Sequence, residues 1–178
     1  MTAVTAIPIE LIRLDGGTQI RACSTYQTKI DEYAEAMGRF EVFPPLTVFF
    51  DGTDYWLADG FHRFGAYNIV MQALKLPGLD IECEVLEGTR RDAILYACGT
   101  NAVHGIPRTN SDKQNAVETM LTNPLVVFDE NGVPWSDRAI AKICKVSHHT
   151  VAKWRAEYLG KCPEAESAPS RAAARPTP

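Results

Sequence analysis

The sequence predicts an α+β fold, a small mixed domain followed by an all-α module. Three observations predict it. From Ile7 to about Arg108, β-rich runs alternate with stretches of helical spacing. From Thr109 to Gly160 the apolar residues recur almost only at helical spacing. From Cys162 onward the chain is rich in Pro, Ala, Ser and Arg and holds almost no large apolar side chain. The expected organisation is a mixed domain over 1–108, a helical module over 109–160 and a disordered tail over 161–178.

The elements follow in order. Ile7–Leu14 alternates loosely and meets a turn at Gly16-Gly17, which predicts a strand. Thr25–Met37 spaces Ile30, Tyr33, Ala34 and Met37 as a helix, with Gly38 as its stop. Pro44-Pro45 breaks the chain. Leu46–Phe50 and Tyr55–Ala58 flank the Asp51–Asp54 turn and read as a hairpin. Phe61–Leu74 is helical in spacing and ends at Pro77-Gly78. Asp80–Leu86 sets Ile81, Cys83 and Val85 against acidic neighbours, as in a strand with one face in water. Thr89 caps an expected helix to Val103, and His104–Pro107 is a break. Thr109 to Asp112 offers N-caps for a helix bearing Ala116, Val117, Met120 and Leu121. A loop runs from Pro124 to Pro134 with a turn at Asn131-Gly132. Two short helices are expected over Ser136–Ile143 and Ser147–Tyr158.

The 178 residues are 46% hydrophobic and 22% charged, which is globular composition and excludes a wholly disordered chain. The longest apolar runs, such as Leu46–Phe50, are far too short to span a bilayer, so no membrane partner is expected. No secretory signal is evident after Met1. Five scattered cysteines form no Cys-x-x-Cys pair and no zinc spacing, which argues against a disulfide scaffold or a zinc finger. A reduced, cytoplasmic protein with small core cysteines is the expectation, Cys98 and Cys144 above all.

A net charge of −4 argues against an indiscriminate polyanion binder. The charge is unevenly spread. Residues 1–108 hold nine Lys/Arg and fourteen Asp/Glu, whereas Ser136–Lys161 holds six Lys/Arg and two Asp/Glu, with His148 and His149 besides. A local basic surface on an acidic chain suits a specific anionic partner, although a solvated helix face explains the same charges.

Trp135–Arg155 carries the most specific pattern. Ile140 and Ala141 face inward on a first helix, and small Ala141 lets a second helix cross closely. Val146 plugs the corner, and Val151 and Trp154 face back from the second helix. Ser136 and Ser147 stand at the two N-cap positions. The stretch resembles the helix-turn-helix of bacterial DNA-binding proteins. It departs at Lys145, where Gly is usual, and a left-handed non-Gly residue costs about 1 kcal/mol. Such a module implies double-stranded DNA as partner, read in the major groove by the start of the second helix. Ser147, His148, His149, Thr150 and Lys153 would face outward there. Lys142, Lys153 and Arg155 would meet phosphates. A three-helix packing unit with no DNA role is the competing reading. His148 and His149 make a poor metal pair, because neighbours on a helix point about 100° apart.

Asp59-Gly60-Phe61-His62-Arg63 lies where a strand runs into a helix. Gly60 lets backbone approach a ligand, the helix start offers free N–H groups, and His62 and Arg63 add charged donors. The Gln19-Ile20-Arg21 stretch, after the Gly16-Gly17 turn, would add a second guanidinium through Arg21. This is a phosphate-shaped arrangement. The competing reading is a helix cap with a surface arginine, with Asp59 as the N-cap.

The order of these pieces over roughly Ile7 to Gly160 resembles the ParB family, whose N-terminal domain shares its fold with sulfiredoxin and precedes a helix-turn-helix. The resemblance implies a ParB/sulfiredoxin-like domain that binds CTP or ATP. Gly60–Arg63 matches the family's Gly-x-Arg-Arg stretch with His62 in place of one arginine, and Asn101 matches the asparagine of a later Glu-Asn-x-x-Arg stretch. Thr100 stands where that stretch places a metal-binding Glu, and a hydroxyl is a poor donor to a hard cation. Mg²⁺ and metal-dependent hydrolysis are therefore not expected. Phe61 occupies the position of sulfiredoxin's catalytic cysteine, which excludes that chemistry. The implied function is a sequence-specific DNA binder, a transcriptional regulator or a plasmid or phage partition-related factor, with a homodimer as an allowed assembly. The chain lacks an evident dimerisation domain after Gly160, which favours a small regulator. The alternative is an enzyme, a CTP/ATP hydrolase or a nuclease, using Gly60–Arg63.

Overall fold

The computed structural model describes residues 3–21, 27–75, 78–100 and 107–160. Five strands form one sheet: β1 (Ala3–Pro8), β2 (Ile12–Arg13), β3 (Leu46–Phe50), β4 (Tyr55–Asp59) and β5 (Asp80–Glu87). Their order is β1-β5-β3-β4-β2, with β1–β5 and β3–β4 antiparallel and β3–β5 and β2–β4 parallel. The helices are α1 (Gln27–Gly38), α2 (Phe61–Leu74), α3 (Arg90–Gly99), α4 (Asn110–Thr122), α5 (Asp137–Cys144) and α6 (His148–Leu159). The fold is α+β, with a mixed sheet domain followed by helices.

The expected single strand over Ile7–Leu14 is in fact two. A 3-10 turn at Ile9–Leu11 separates β1 from β2, and these pair at opposite edges of the sheet. Pro8 has no N–H to extend the ladder, which helps to end β1. From Pro8 to Ile12 the chain reaches at most about 14 Å, whereas the edges of a flat five-stranded sheet lie about 19 Å apart. The sheet must therefore curl to bring its edges together.

Period-two alternation sorts the side chains to the two faces of the curled sheet. Leu46, Val48 and Leu57 are fully buried with Ile81, Cys83 and Phe64 of α2. Phe49, Trp56 and Ala58 point the other way, against Ala93 of α3. Helix α1 packs on α2, through Ile30, Ala34 and Ala66.

The largest core is helical. Ile94 and Cys98 of α3 join Ala116, Val117 and Met120 of α4, Ile140 and Cys144 of α5, and Val151 of α6. Helix α3 thus serves both parts, touching the sheet through Ala93 and the helical module through Ile94 and Cys98. At Gly99 a side chain would come within 2.8 Å of the Ile143 carbonyl, so α3 and α5 approach there as only glycine allows.

The expected caps are present. Thr89 with Asp92, and Thr109 with Asp112, form reciprocal capping boxes, and Ser136 and Ser147 cap α5 and α6. Helix α3 ends at Gly99, short of the expected Val103. The expected tail, the start of the Thr25–Met37 helix, Cys23, Cys162 and Asn101 lie outside the described residues.

Candidate functional site

A cleft of about 80 Å³ opens where β4 passes into α2. Gln19, Arg21, Asp59, Gly60, His62 and Arg63, six of the seven residues expected to hold phosphate, all line it. Five segments build it, one of them α1 through Tyr33. The Thr18–Arg21 stretch is pinned to the sheet by the Thr18 hydroxyl, which donates to the Leu57 carbonyl at 2.5 Å. The others are the start of α2, the end of α3 at Ala97 and Thr100, and the start of α4.

Gly60 is left-handed, with φ 101°, and is the N-cap of α2. A Cβ there would sit 2.5 Å from Leu46 Cδ2 and 3.1 Å from Arg63 Nη2. The fold itself therefore demands this glycine, through backbone angle and Leu46, rather than the approach of a ligand. No side chain caps α2, unlike α3 to α6. Asp59 is not the cap the sequence suggested. The residue after it takes that position, and Asp59 Oδ2 instead accepts from Arg63 Nη2 at 2.9 Å.

Arg63 is only 11% exposed. Its Nη1 donates to the carbonyls of Pro44 and Pro45 at 2.6 and 2.7 Å, so it holds the turn before β3 as well as Asp59. Arg21 Nη1 lies 3.3 Å from Asp112 Oδ2 and 3.3 Å from the Pro107 carbonyl. Asp112 is 2% exposed and also accepts from the Thr109 N–H as the capping-box acid of α4. Burial pulls His62 below its ordinary range. Arg21 adds to this, and Asp59 and Asp112 oppose it.

Two residues of this cleft escaped the sequence reading. Arg108 donates from Nη1 to the Cys98 carbonyl at 3.0 Å and to the Thr100 and Cys144 carbonyls at 3.5 Å, and from Nη2 to the Asp112 carbonyl at 3.4 Å. One guanidinium thereby closes the C-terminal ends of α3 and α5, where helix carbonyls carry partial negative charge. Burial lowers its proton affinity from the usual value. Its only trace in the sequence is a basic residue one position before the Thr109 cap. Asp112 looked like a capping acid alone, because its partner Arg21 is 91 residues away.

The donor set suits a phosphate group. Arg21, His62 and the uncapped N-terminus of α2 converge on one cleft. Its described residues do not suit a divalent cation. Thr100 Oγ1 donates to the Tyr96 carbonyl of its own helix at 2.8 Å, and both cleft carboxylates are taken by arginines. Among the described residues no group of three His, Cys, Asp or Glu side chains is placed to hold a metal. Burial pushes the Cys83 thiol up to about 11 and Cys144 to about 12, and Cys98 higher still. These stay protonated at neutral pH and pack as small apolar groups.

The second candidate surface is the α5–α6 pair. Lys145 links them in the left-handed region, φ 55° and ψ 48°, as the missing glycine implied. The N–H groups of Lys145 and Val146 both donate to the Ala141 carbonyl. Ile140 and Val151 are fully buried, and Val146 and Trp154 pack against the same core. Lys142, Ser147, His148, His149 and Lys153 are exposed, and Thr150 is half-buried. The His148 and His149 rings lie 4.0 Å apart. Ser147 Oγ and Thr150 Oγ1 are 2.7 Å apart within the cap. Arg155 is differently placed. Its Nε donates to Asp137 at 2.7 Å and its Nη2 to the Trp135 carbonyl at 2.9 Å, so it clasps α6 to the start of α5.

No protein-family model matches the chain. A curated relative from Streptomyces griseus, named "Streptomycin biosynthesis operon possible regulatory protein", is 31% identical over 98 residues. That match covers 54% of this chain and 24% of the relative, so the chain spans about a quarter of the relative's length. Several solved structures are similar. Sulfiredoxin from Arabidopsis thaliana is 26% identical over 53% of this chain and 96% of its own, with a TM-score of 0.41. The C-terminally truncated chromosome-partitioning protein ParB from Caulobacter crescentus, complexed with CTP-gamma-S, is 15% identical over 85% of this chain and 76% of its own, at 0.43. The pNOB8-like ParB N-domain is 17% identical over 86% of this chain and 65% of its own, at 0.49. No helix among the described residues is long and apolar enough to cross a membrane.

Proposed function

We propose that this chain is a cytoplasmic, sequence-specific double-stranded DNA-binding protein, a regulator of transcription or a partition-related factor whose cleft takes the phosphates of a nucleotide such as CTP or ATP. One observation carries the reading: α5, the Lys145 turn and α6 form a buried-inward, basic-outward helix pair. Ile140 and Val151 lock the pair to the core, and Lys142, His148, His149 and Lys153 stand in solvent on it. The N-terminal turn of α6 would read base edges through His148, His149 and Thr150, and Lys142 and Lys153 would meet phosphates. Arg155 contributes by holding α6 in place. The name of the Streptomyces relative favours regulation over partition. A homodimer would read two half-sites one helical turn apart, about 34–36 Å.

The test is selection of bound duplexes from random or genomic fragments, followed by anisotropy titration of the most enriched one. A single enriched sequence, bound at least about a thousandfold tighter than unrelated duplex, is the expected result. Binding with no sequence preference, or none at low salt, would overturn the reading.

A further inference from the structure

We propose that the seam between α4 and α6 is a binding site for a small alkylammonium cation. A cavity of about 210 Å³ lies there, separate from the phosphate cleft. Its walls combine two aromatic side chains, Trp154 and Tyr158 of α6, with two carboxylates, Glu118 of α4 and Glu157 of α6. Gln114 and Leu121 complete the α4 side, and fully buried Val117 lies at the seam.

The chemistry selects the charge of the ligand. Aromatic faces attract a cation through the ring quadrupole, more strongly the more the pair is desolvated. Glu118 has no ion pair among the described residues. Glu157 has only Lys153, at 3.7 Å, and both partners are well exposed, so that contact holds the carboxylate weakly. Anions are repelled by both glutamates. A neutral apolar ligand would leave the carboxylates beside it with poorer hydration. An alkylammonium satisfies both features, with methyl or methylene groups against Trp154 and Tyr158 and positive charge near Glu118 and Glu157. The site shares no residue with the phosphate cleft, and its two rings and two carboxylates would hold the cation whether or not α6 meets DNA.

The experiment is titration of the intact chain with tetramethylammonium chloride and with cadaverine dihydrochloride, following the Trp154 indole N–H resonance. Sodium chloride at equal ionic strength is the blank. Saturable movement with either cation is expected, together with about threefold weaker binding in Glu118→Gln, as for an exposed ion pair, and about threefold or more in Tyr158→Leu. Glu118 is an exposed helix residue, so Glu118→Gln should unfold at the same urea concentration as the parent and report on binding alone. Movement no larger than sodium chloride produces, or equal affinity in Glu118→Gln, overturns the proposal.

Discussion

Arg21 Nη1 lies 3.3 Å from Asp112 Oδ2, and that contact ties the cleft's first strand-to-helix connection to the first turn of α4. Asp112 simultaneously completes the Thr109 capping box from a nearly inaccessible position. Asp112→Ala removes a cap and a charged partner together. We expect it to cost about 2 kcal/mol, read as a lower urea midpoint at unchanged m. Asp92→Ala, an equivalent capping acid with no arginine partner among the described residues, should cost less. Equal losses in the two variants would show that the Arg21 interaction contributes nothing.

His62 gives the cleft a pH signature. Its folded-state pKa is held below 6.5, first by burial and then by Arg21. Its contribution to stability is therefore complete above pH 6.5 and is lost as pH falls through the depressed folded value. An anion in the cleft favours the imidazolium, so phosphate affinity should rise as pH falls from about 8 towards about 5.5. Calorimetric titration with CTP, ATP and inorganic phosphate at several pH values checks this, and His62→Asn should flatten the pH dependence. Arg21→Ala should weaken binding at every pH.

Helix α6 and the Lys142 position before it separate three kinds of residue. Lys142→Ala and Lys153→Ala should weaken binding to all duplexes, and each should lower the salt slope by about one, the share of a single phosphate. His149→Ala and Thr150→Ala should instead change which sequence is preferred, by about 1–3 kcal/mol at one base pair. Arg155→Ala should reduce stability first, since it opens the hydrogen bonds to Asp137 and Trp135. Thermal unfolding beside anisotropy distinguishes the three. Specific binding that survives all of these changes would remove α6 from the interface.

Gly60→Ala should destabilise the fold by about 2 kcal/mol or more. Its φ is 101° and its Cβ would overlap Leu46, which is fully buried. Leu46→Ala empties part of the core and costs stability of its own, but the double variant should lose less than the sum of the two single losses, because the space is vacated. Failure of that pair to couple in a double-mutant cycle would place the cost in the backbone angle alone.

Local signals in the sequence are reliable where short-range physics sets the structure. The Asp51–Asp54 hairpin, the caps at Thr89, Thr109, Ser136 and Ser147, and the left-handed Lys145 depend on a few neighbouring residues. What is illegible depends on closure in space. Ile7–Leu14 reads as one strand because nothing local says that its two halves pair at opposite sheet edges. Gln19, Arg21 and the Gly60–Arg63 stretch are identifiable in the sequence and do share a cleft. Their occupation by Asp112, Asp59 and the Pro44 and Pro45 carbonyls cannot be read from spacing, nor can Arg108 as the bolt across α3 and α5.

The same occupied groups bear on the enzyme alternative. Triphosphate hydrolysis needs a cation bridging the phosphates and a positioned water. Asp59 Oδ2 is 2.9 Å from Arg63 and Asp112 Oδ2 is 3.3 Å from Arg21, so recruiting either carboxylate to Mg²⁺ would break an ion pair in a partly buried site. Thr100, where a metal-binding acid would stand, turns its hydroxyl back to the Tyr96 carbonyl. His62, neutral at pH 7 with its depressed pKa, gives a triphosphate less charge than a second arginine would. We therefore expect phosphate release from CTP and ATP with Mg²⁺ to stay at background, while the same samples bind nucleotide. Thr100→Glu is the gain-of-function control, because it restores a carboxylate at the mouth of the cleft. Robust Mg²⁺-dependent release by the unaltered chain, abolished in Arg21→Ala, would place the hydrolase above the regulator.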